Sequence, residues 1–235
     1  MTKSTIALYK HDPECSQTCC DGMVNSLAEY YNIKFFNEKD DLKLVLSDAK
    51  IVAFPGGIGD ADKYYEFFKR RSANVIADFV EQGGYYLGIC MGAYWAGSHY
   101  FDILDGVDAV QYIKRPNADI RRSYGTVAPV IWQGRNQDMF FYDGCALIGD
   151  ESKFTTVARY ANGDPMAIIQ NRIGLIGCHP ESQLSWYKDY KYILDQWHNG
   201  QHNKLLLKFV NQLTRSWDVI SYPTAFQKTH LTMQV

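Results

Sequence analysis

The first hundred residues alternate between short, mostly apolar runs and longer stretches of helical period. Residues 6–9, 33–36, 49–54 and 85–89 are apolar runs of strand length, bounded by polar residues or glycine. Between them, residues 16–31 carry Met23, Leu27 and Tyr30 (or Tyr31) at helical spacing. Residues 72–82 place Val75, Ile76, Phe79 and Val80 on one face. Gly83-Gly84 supplies the left-handed backbone that closes this helix. A further helix is predicted over 92–98. Strands alternating with helices predict βαβ units, hence a parallel sheet with right-handed crossovers.

The pattern changes in the middle of the chain. Residues 127–132, 139–142, 154–160, 167–170 and 174–177 are short strand-like runs, separated by turn residues at Gly134, Gly144, 162–165 and Asn171. They predict hairpin elaborations over 125–178, grafted on the α/β core. From 186 to 217 helical period returns, with Leu205, Leu206, Phe209, Val210 and Leu213 on one face. No long linker or repeat divides the chain, which predicts a single domain over 1–218 and a tail over 219–235.

Composition narrows the function classes. Of 235 residues, 46% are hydrophobic and 21% charged, the balance of a globular chain with a sizeable core. The 24 basic and 26 acidic side chains leave a net charge of −2, without the basic excess that nucleic acid or an anionic membrane would select. No apolar run is long enough to span a bilayer, and the first residues lack the apolar region of a secretory signal. Six cysteines are too sparse for a disulfide scaffold. A cytoplasmic protein with reduced thiols is expected.

The densest chemistry lies in residues 83–94, Gly-Gly-Tyr-Tyr-Leu-Gly-Ile-Cys-Met-Gly-Ala-Tyr. An apolar strand runs into Gly88-Ile-Cys90-Met-Gly92 and then into small helical residues. This is the layout of a nucleophile elbow, a sharp strand-to-helix turn that lifts a nucleophile above the sheet's carboxyl edge. Gly88 and Gly92 flank Cys90 where the turn leaves little room, and the helix start favours a thiolate. A second strand-like run leads into His179-Pro180-Glu181. In extended backbone, positions i and i+2 point to one side, and Pro180 biases His179 toward that geometry. A carboxylate is thus placed to accept from one imidazole nitrogen, leaving the other to take a thiol proton. Cysteine, histidine and acid form the activated-nucleophile set of acyl-transfer enzymes. Finally, Pro55-Gly56-Gly57 ends the third strand, at the edge where parallel sheets bind ligands.

This order of motifs resembles the class I glutamine amidotransferase-like superfamily, and within it the family of the biotin-protein ligase N-terminal domain. Further local likenesses are an aspartate and a tyrosine after Pro-Gly-Gly (Asp60 or Asp62, and Tyr64) and Phe141-Tyr142-Asp143-Gly144. The resemblance covers roughly residues 5–185. It implies a flavodoxin-like three-layer α/β sandwich with a mainly parallel central sheet and C-terminal helices. It implies Cys90 as nucleophile, His179 as base, Glu181 orienting it, and the backbone N–H groups of Gly57 and Met91 as oxyanion donors. Gly56, Tyr64, Tyr94 and Tyr142 would surround the substrate. Glutamine-hydrolysing members commonly carry a glutamine four residues after the cysteine, where this chain has Tyr94.

The leading expectation is therefore a hydrolase that cleaves a small-molecule amide through a thioester at Cys90. No cofactor or metal is required, and a partner protein or synthetase subunit would use any ammonia released. The alternatives are a ligand-binding or regulatory module that turns nothing over, and a cysteine peptidase on the same scaffold. Among other features, His198 and His202 have the i, i+4 spacing of metal ligands, but Gly200 interrupts their helix and no third ligand is evident. Cys15, Cys19 and Cys20 lack a second pair at zinc spacing and read as a thiol cluster near the first strand. Cys178 reads as packing. Arg115, Arg121, Arg122 and Tyr124 read as a solvated basic loop. Gly56 to Gly59 lacks the Lys-Ser/Thr of a phosphate loop.

Overall fold

A computed structural model describes residues 3–10, 17–57 and 73–215. Asp60, Asp62, Tyr64, Cys15 and the tail over 219–235 lie outside the described residues. The first half follows the expected alternation: β1 (Thr5–Tyr9), α1 (Gln17–Leu27), β2 (Asn32–Phe36), α2 (Leu42–Leu46), β3 (Ile51–Phe54), α3 (Ala73–Glu81), β4 (Tyr85–Ile89) and α4 (Met91–Trp95). The short helix α2 is additional. Asp41 caps it, its carboxylate accepting from the N–H groups of Lys43 and Leu44.

The second half contains β5 (Val107–Gln111), β6 (Thr126–Trp132), β7 (Arg135–Phe141), β8 (Cys145–Gly149), β9 (Thr155–Tyr160), β10 (Pro165–Gln170) and β11 (Ile173–Ile176), then α5 (Leu184–Asp189) and α6 (Gln201–Arg215). Nine strands form one sheet in the order β2-β1-β3-β4-β11-β10-β9-β6-β7. The run from β2 to β11 is parallel, and the run from β11 to β7 is antiparallel. The expected hairpin elaborations are present and continuous with the core. Their last strand, β11, returns to pair in parallel with β4, and the hairpins extend the same sheet. Strands β5 and β8, unanticipated, form a two-stranded antiparallel ribbon.

Helices flank the sheet, α1 packed with α6 and α2 with α3. The expected apolar face of α6 is in place: Leu206, Phe209, Val210 and Leu213 are buried, and Gly174 of β11 lets Phe209 and Leu213 approach closely. The C-terminal helices expected over 186–217 are present as α5 and α6, with a break between them. A 3₁₀ turn spans Lys191–Gln196, and Asn199 and Gly200 adopt positive φ of 52° and 75°, a conformation that ends one helical path before α6 begins. Beneath the carboxyl ends of the central strands, Tyr9, Phe36, Phe54, Tyr86, Trp95 and Phe101 form a buried aromatic cluster. Phe54 sits at its centre, with ring centroids 5.1 to 5.9 Å from those of its neighbours. Each such ring contributes about 1.5–3 kcal/mol by burial, and the cluster fixes β1, β3, β4 and α4 against one another.

Candidate active site

Cys90 stands at the junction of β4 and α4 with φ 50° and ψ −104°, a conformation that costs a non-glycine residue about 1–3 kcal/mol. Backbone bonds on both sides hold it. Its N–H donates to the Ile176 carbonyl of β11 at 2.8 Å, and its own carbonyl accepts from Ala93 and Tyr94 at 2.9 and 3.1 Å. The Gly92 N–H donates to the Pro55 carbonyl at 3.2 Å. The flanking glycines are required by close approach. A Cβ on Gly88 would lie 2.3 Å from the Gly92 carbonyl oxygen, and one on Gly92 would lie 2.0 Å from that of Phe54. The elbow read in the sequence is present in this geometry.

His179 and Glu181 follow β11. The His179 N–H donates to the Phe140 carbonyl at 2.9 Å, pinning the backbone to the antiparallel half. Its ring Nδ1 lies 2.9 Å from Glu181 Oε1, with both side chains buried. The Cys90 and Cys19 side chains lie near enough to the ring to favour its charged form. Burial works against a charged imidazole here. The negative charges that Cys90 and Glu181 carry when ionised, together with the nearby Cys19 thiol, outweigh it and hold His179 well above its usual range. The Cys90 Sγ donates to the Tyr142 carbonyl at 3.5 Å. Thiol, imidazole and carboxylate are thus gathered at one place, a set of groups suited to moving a proton off sulfur and stabilising the imidazolium that results.

A cavity of about 190 Å³ opens at the His179 ring; Cys90 and Glu181 are not among the residues that line it. Gly57 and Tyr142 line it with His179, and so do Cys19, Phe140, Trp186, Asp189 and Tyr190. Tyr94 does not. Its hydroxyl donates to the carbonyls of Asp143 and Gly144 at 3.3 and 3.4 Å, tying α4 to the turn after β7. Burial pushes its phenol well above the ordinary range. Gly56 packs behind the ring rather than in the cavity: a Cβ there would come 2.5 Å from His179 Cε1 and 3.1 Å from Cys19 Sγ. Met91 follows Cys90 as the first residue of α4.

Comparison with known proteins places this geometry. Residues 10–107, under half of the chain, match the family described as biotin-protein ligase, N terminal. Among solved structures, a glutamine amidotransferase from Thermotoga maritima is 12% identical with a TM-score of 0.66, covering 91% of this chain and 99% of that one. A glutamine amido transferase from Methylobacillus flagellatus is 14% identical with a TM-score of 0.60, covering 98% and 100%. A candidate GMP synthase subunit from Thermoplasma acidophilum is 14% identical with a TM-score of 0.60, covering 94% and 98%. The fold is that of the class I glutamine amidotransferases. No curated protein matches the sequence.

Within this amidotransferase fold, the remaining polar clusters have internal partners. Arg115 pairs with Asp164 through two bonds of 2.8 and 3.3 Å, and Arg121 donates to the carbonyls of Ile113 and Arg115. Arg122 bonds Tyr124. Cys178 is buried beside the Tyr160 hydroxyl, and burial pushes its thiol up to about 12, in keeping with a packing role. His198 and His202 stack with ring centroids 3.9 Å apart. They bond Ser182 and Gln137 respectively, each at 3.2 Å. The sequence put the Cys15, Cys19 and Cys20 cluster near the carboxyl edge of the first strand, bordering the site, but not the meeting of Cys19 with His179, and the wall formed by Phe140, Trp186 and Tyr190 was not legible. Phe140, Trp186 and Tyr190 came from a hairpin strand and from the C-terminal helical stretch. The one usable signal was the position of Cys19 just beyond the carboxyl end of a parallel strand. No helix among the described residues is long and apolar enough to cross a membrane.

Proposed function

We propose that the protein is an amide-cleaving cysteine hydrolase of the glutamine amidotransferase type. The observation that carries the reading is the buried His179–Glu181 pair, joined by the 2.9 Å Nδ1–Oε1 contact, which faces the cavity through His179 and gathers with Cys90 of the strand-to-helix turn. His179 takes the Cys90 proton as sulfur attacks the amide carbon, and the N–H groups of Gly57 and Met91 receive the developing oxyanion. The proton passes to the leaving nitrogen, which departs as ammonia or an amine and leaves a thioester on Cys90. His179 then deprotonates a water that cleaves the thioester to the free acid, returning the proton to sulfur. Glu181 holds the ring in the productive tautomer throughout. The cavity's aromatic wall and the commitment of Tyr94 to the 143–144 carbonyls support an amide other than glutamine. Ammonia, where it is the product, would pass to a partner protein or synthetase subunit.

The test is competitive alkylation of the native protein at pH 6 with limiting iodoacetamide, mapped by peptide mass, followed by an ammonia-release screen of primary amides. A thiol of ordinary pKa is under ~1% ionised at that pH. Cys90 is expected to label first, and His179→Ala to abolish the preference. Labelling of Cys90 no faster than the other cysteines, or full turnover by Cys90→Ala, would overturn the proposal. The first of those outcomes, with ligand still bound by Cys90→Ser, would leave a binding module in its place.

A further inference from the structure

The hydrolytic reading uses His179 and Glu181 and leaves one side chain at the site without a task. Cys19, in the first turn of α1, is buried at 5% exposure and lines the cavity. Its Sγ, a ring nitrogen of His179 and a carboxylate oxygen of Glu181 all lie within 4.8 Å of one another. Gly56 keeps the space between thiol and ring free of a side chain, since a Cβ there would lie 3.1 Å from the sulfur and 2.5 Å from the ring. A second observation is independent of that clustering. Glu181 is fully buried, its Oε1 meets His179, and among the described residues its Oε2 has no hydrogen-bond partner. A buried carboxylate oxygen without a partner costs about 1–3 kcal/mol or more, and a cation beside it removes that cost.

We propose that Cys19, His179 and Glu181 form a binding site for a divalent transition-metal ion of the zinc class, and that its occupancy switches off the Cys90 nucleophile. Thiolate, imidazole and carboxylate together suit zinc, whereas magnesium and calcium take oxygen ligands alone. Zinc bonds of about 2.0–2.3 Å in tetrahedral geometry put ligand atoms about 3.3–3.8 Å apart. Side-chain rotations of roughly 1 Å would therefore close the trio on an ion. The cavity supplies the entry path and the fourth position, for a water or a ligand atom. Binding releases the Cys19 proton to solvent and occupies a nitrogen of the ring that would otherwise shuttle the Cys90 proton. The switching clause rests on the hydrolytic reading; the metal site itself does not.

The experiment titrates the chelator-stripped full-length protein with zinc against a chromophoric chelator, and separately with cobalt, reading thiolate-to-cobalt charge-transfer absorption. One ion per chain is expected, with Kd at or below about 1 μM. Cys19→Ser should weaken it at least about 30-fold and remove the charge-transfer band, while Cys90→Ala should retain both. Because the cobalt band is read on wild type and Cys90→Ala, the result does not depend on Cys19→Ser folding well. Zinc should also slow Cys90 alkylation at pH 6 in wild type and leave it unchanged in Cys19→Ser. No binding below about 10 μM, equal binding by Cys19→Ser, or loss of the band in Cys90→Ala would each overturn the metal site. Zinc binding without slowed alkylation would overturn the switch. Failure of the hydrolytic reading is seen separately, as unselective labelling of Cys90 in the metal-free protein.

Discussion

The stacked pair His198 and His202 should make the fold sensitive to mild acid. Burial lowers His202 from 6.5 to about 3 and His198 to about 4. A group whose folded pKa is depressed below its unfolded value stabilises the fold fully above the unfolded pKa. That stability is lost as pH falls toward the folded pKa. For His202, which is 2% exposed, the loss between pH 7 and pH 5 works out at about 2 kcal/mol. His198 is less deeply buried, and solvent screening reduces its share to about 1 kcal/mol. Together they remove about 3 kcal/mol of the 5–15 kcal/mol typical of a domain. His179 is held up rather than down, so its contribution rises as pH falls, but it is common to the proteins compared and cancels. The assay is urea unfolding followed by tryptophan fluorescence at pH 7 and pH 5, on wild type and His202→Gln. Glutamine can still bond Gln137, the partner of His202 at 3.2 Å, but does not titrate. The variant should lose about 2 kcal/mol less than wild type over that interval. Equal losses would refute the reasoning. The effect would reach the site as well, since His198 bonds Ser182, the neighbour of Glu181.

Three further outcomes follow from the same geometry. Gly92→Ala places a Cβ 2.0 Å from the Phe54 carbonyl oxygen, where only backbone can yield; a loss of about 3 kcal/mol in urea unfolding is expected, with selective alkylation of Cys90 abolished. Glu181→Gln removes the charge that helps to raise His179, and the rate of Cys90 alkylation at pH 6 should fall about tenfold or more; an unchanged rate would deny Glu181 its orienting role. Phe54→Ala empties the centre of the aromatic cluster and should cost about 3–5 kcal/mol, seen as a lowered Tm.

What the sequence disclosed depended on how local the cause was. Strands β1, β3 and β4 are buried on both faces, so they appear as near-continuous apolar runs. The elbow is visible because its demands are met within five residues, by Gly88 and Gly92 around Cys90. Strand β5 was hidden because most of its residues are half-buried, leaving little alternation to read. The break before α6 was legible in part, since Gly200 interrupts the helical pattern, and Asn199 shares its positive φ. Cys19 could be placed near the first strand's edge, but its partner could not be read, for a different reason. Its meeting with His179 depends on two segments separated by most of the chain, and no spacing rule connects them.

Topology supplies that connection. From β1 the chain steps to β2 on one side, then crosses to β3 on the other and continues to β4 and β11. The reversal between β1 and β3 is the switch point at which open parallel sheets leave a crevice beyond their carboxyl ends. Cys19 follows β1, Gly56 and Gly57 follow β3, Cys90 follows β4, and His179 and Glu181 follow β11. Each chemical group is therefore delivered to the same edge by a different strand, and the cavity's opposite wall comes from Phe140 of β7 and Trp186 of α5. A site assembled from so many strand ends tolerates little slippage between them. That accounts for the concentration of buried aromatic rings directly beneath it, where Phe54 bridges β3, β4 and α4 through Tyr86 and Trp95.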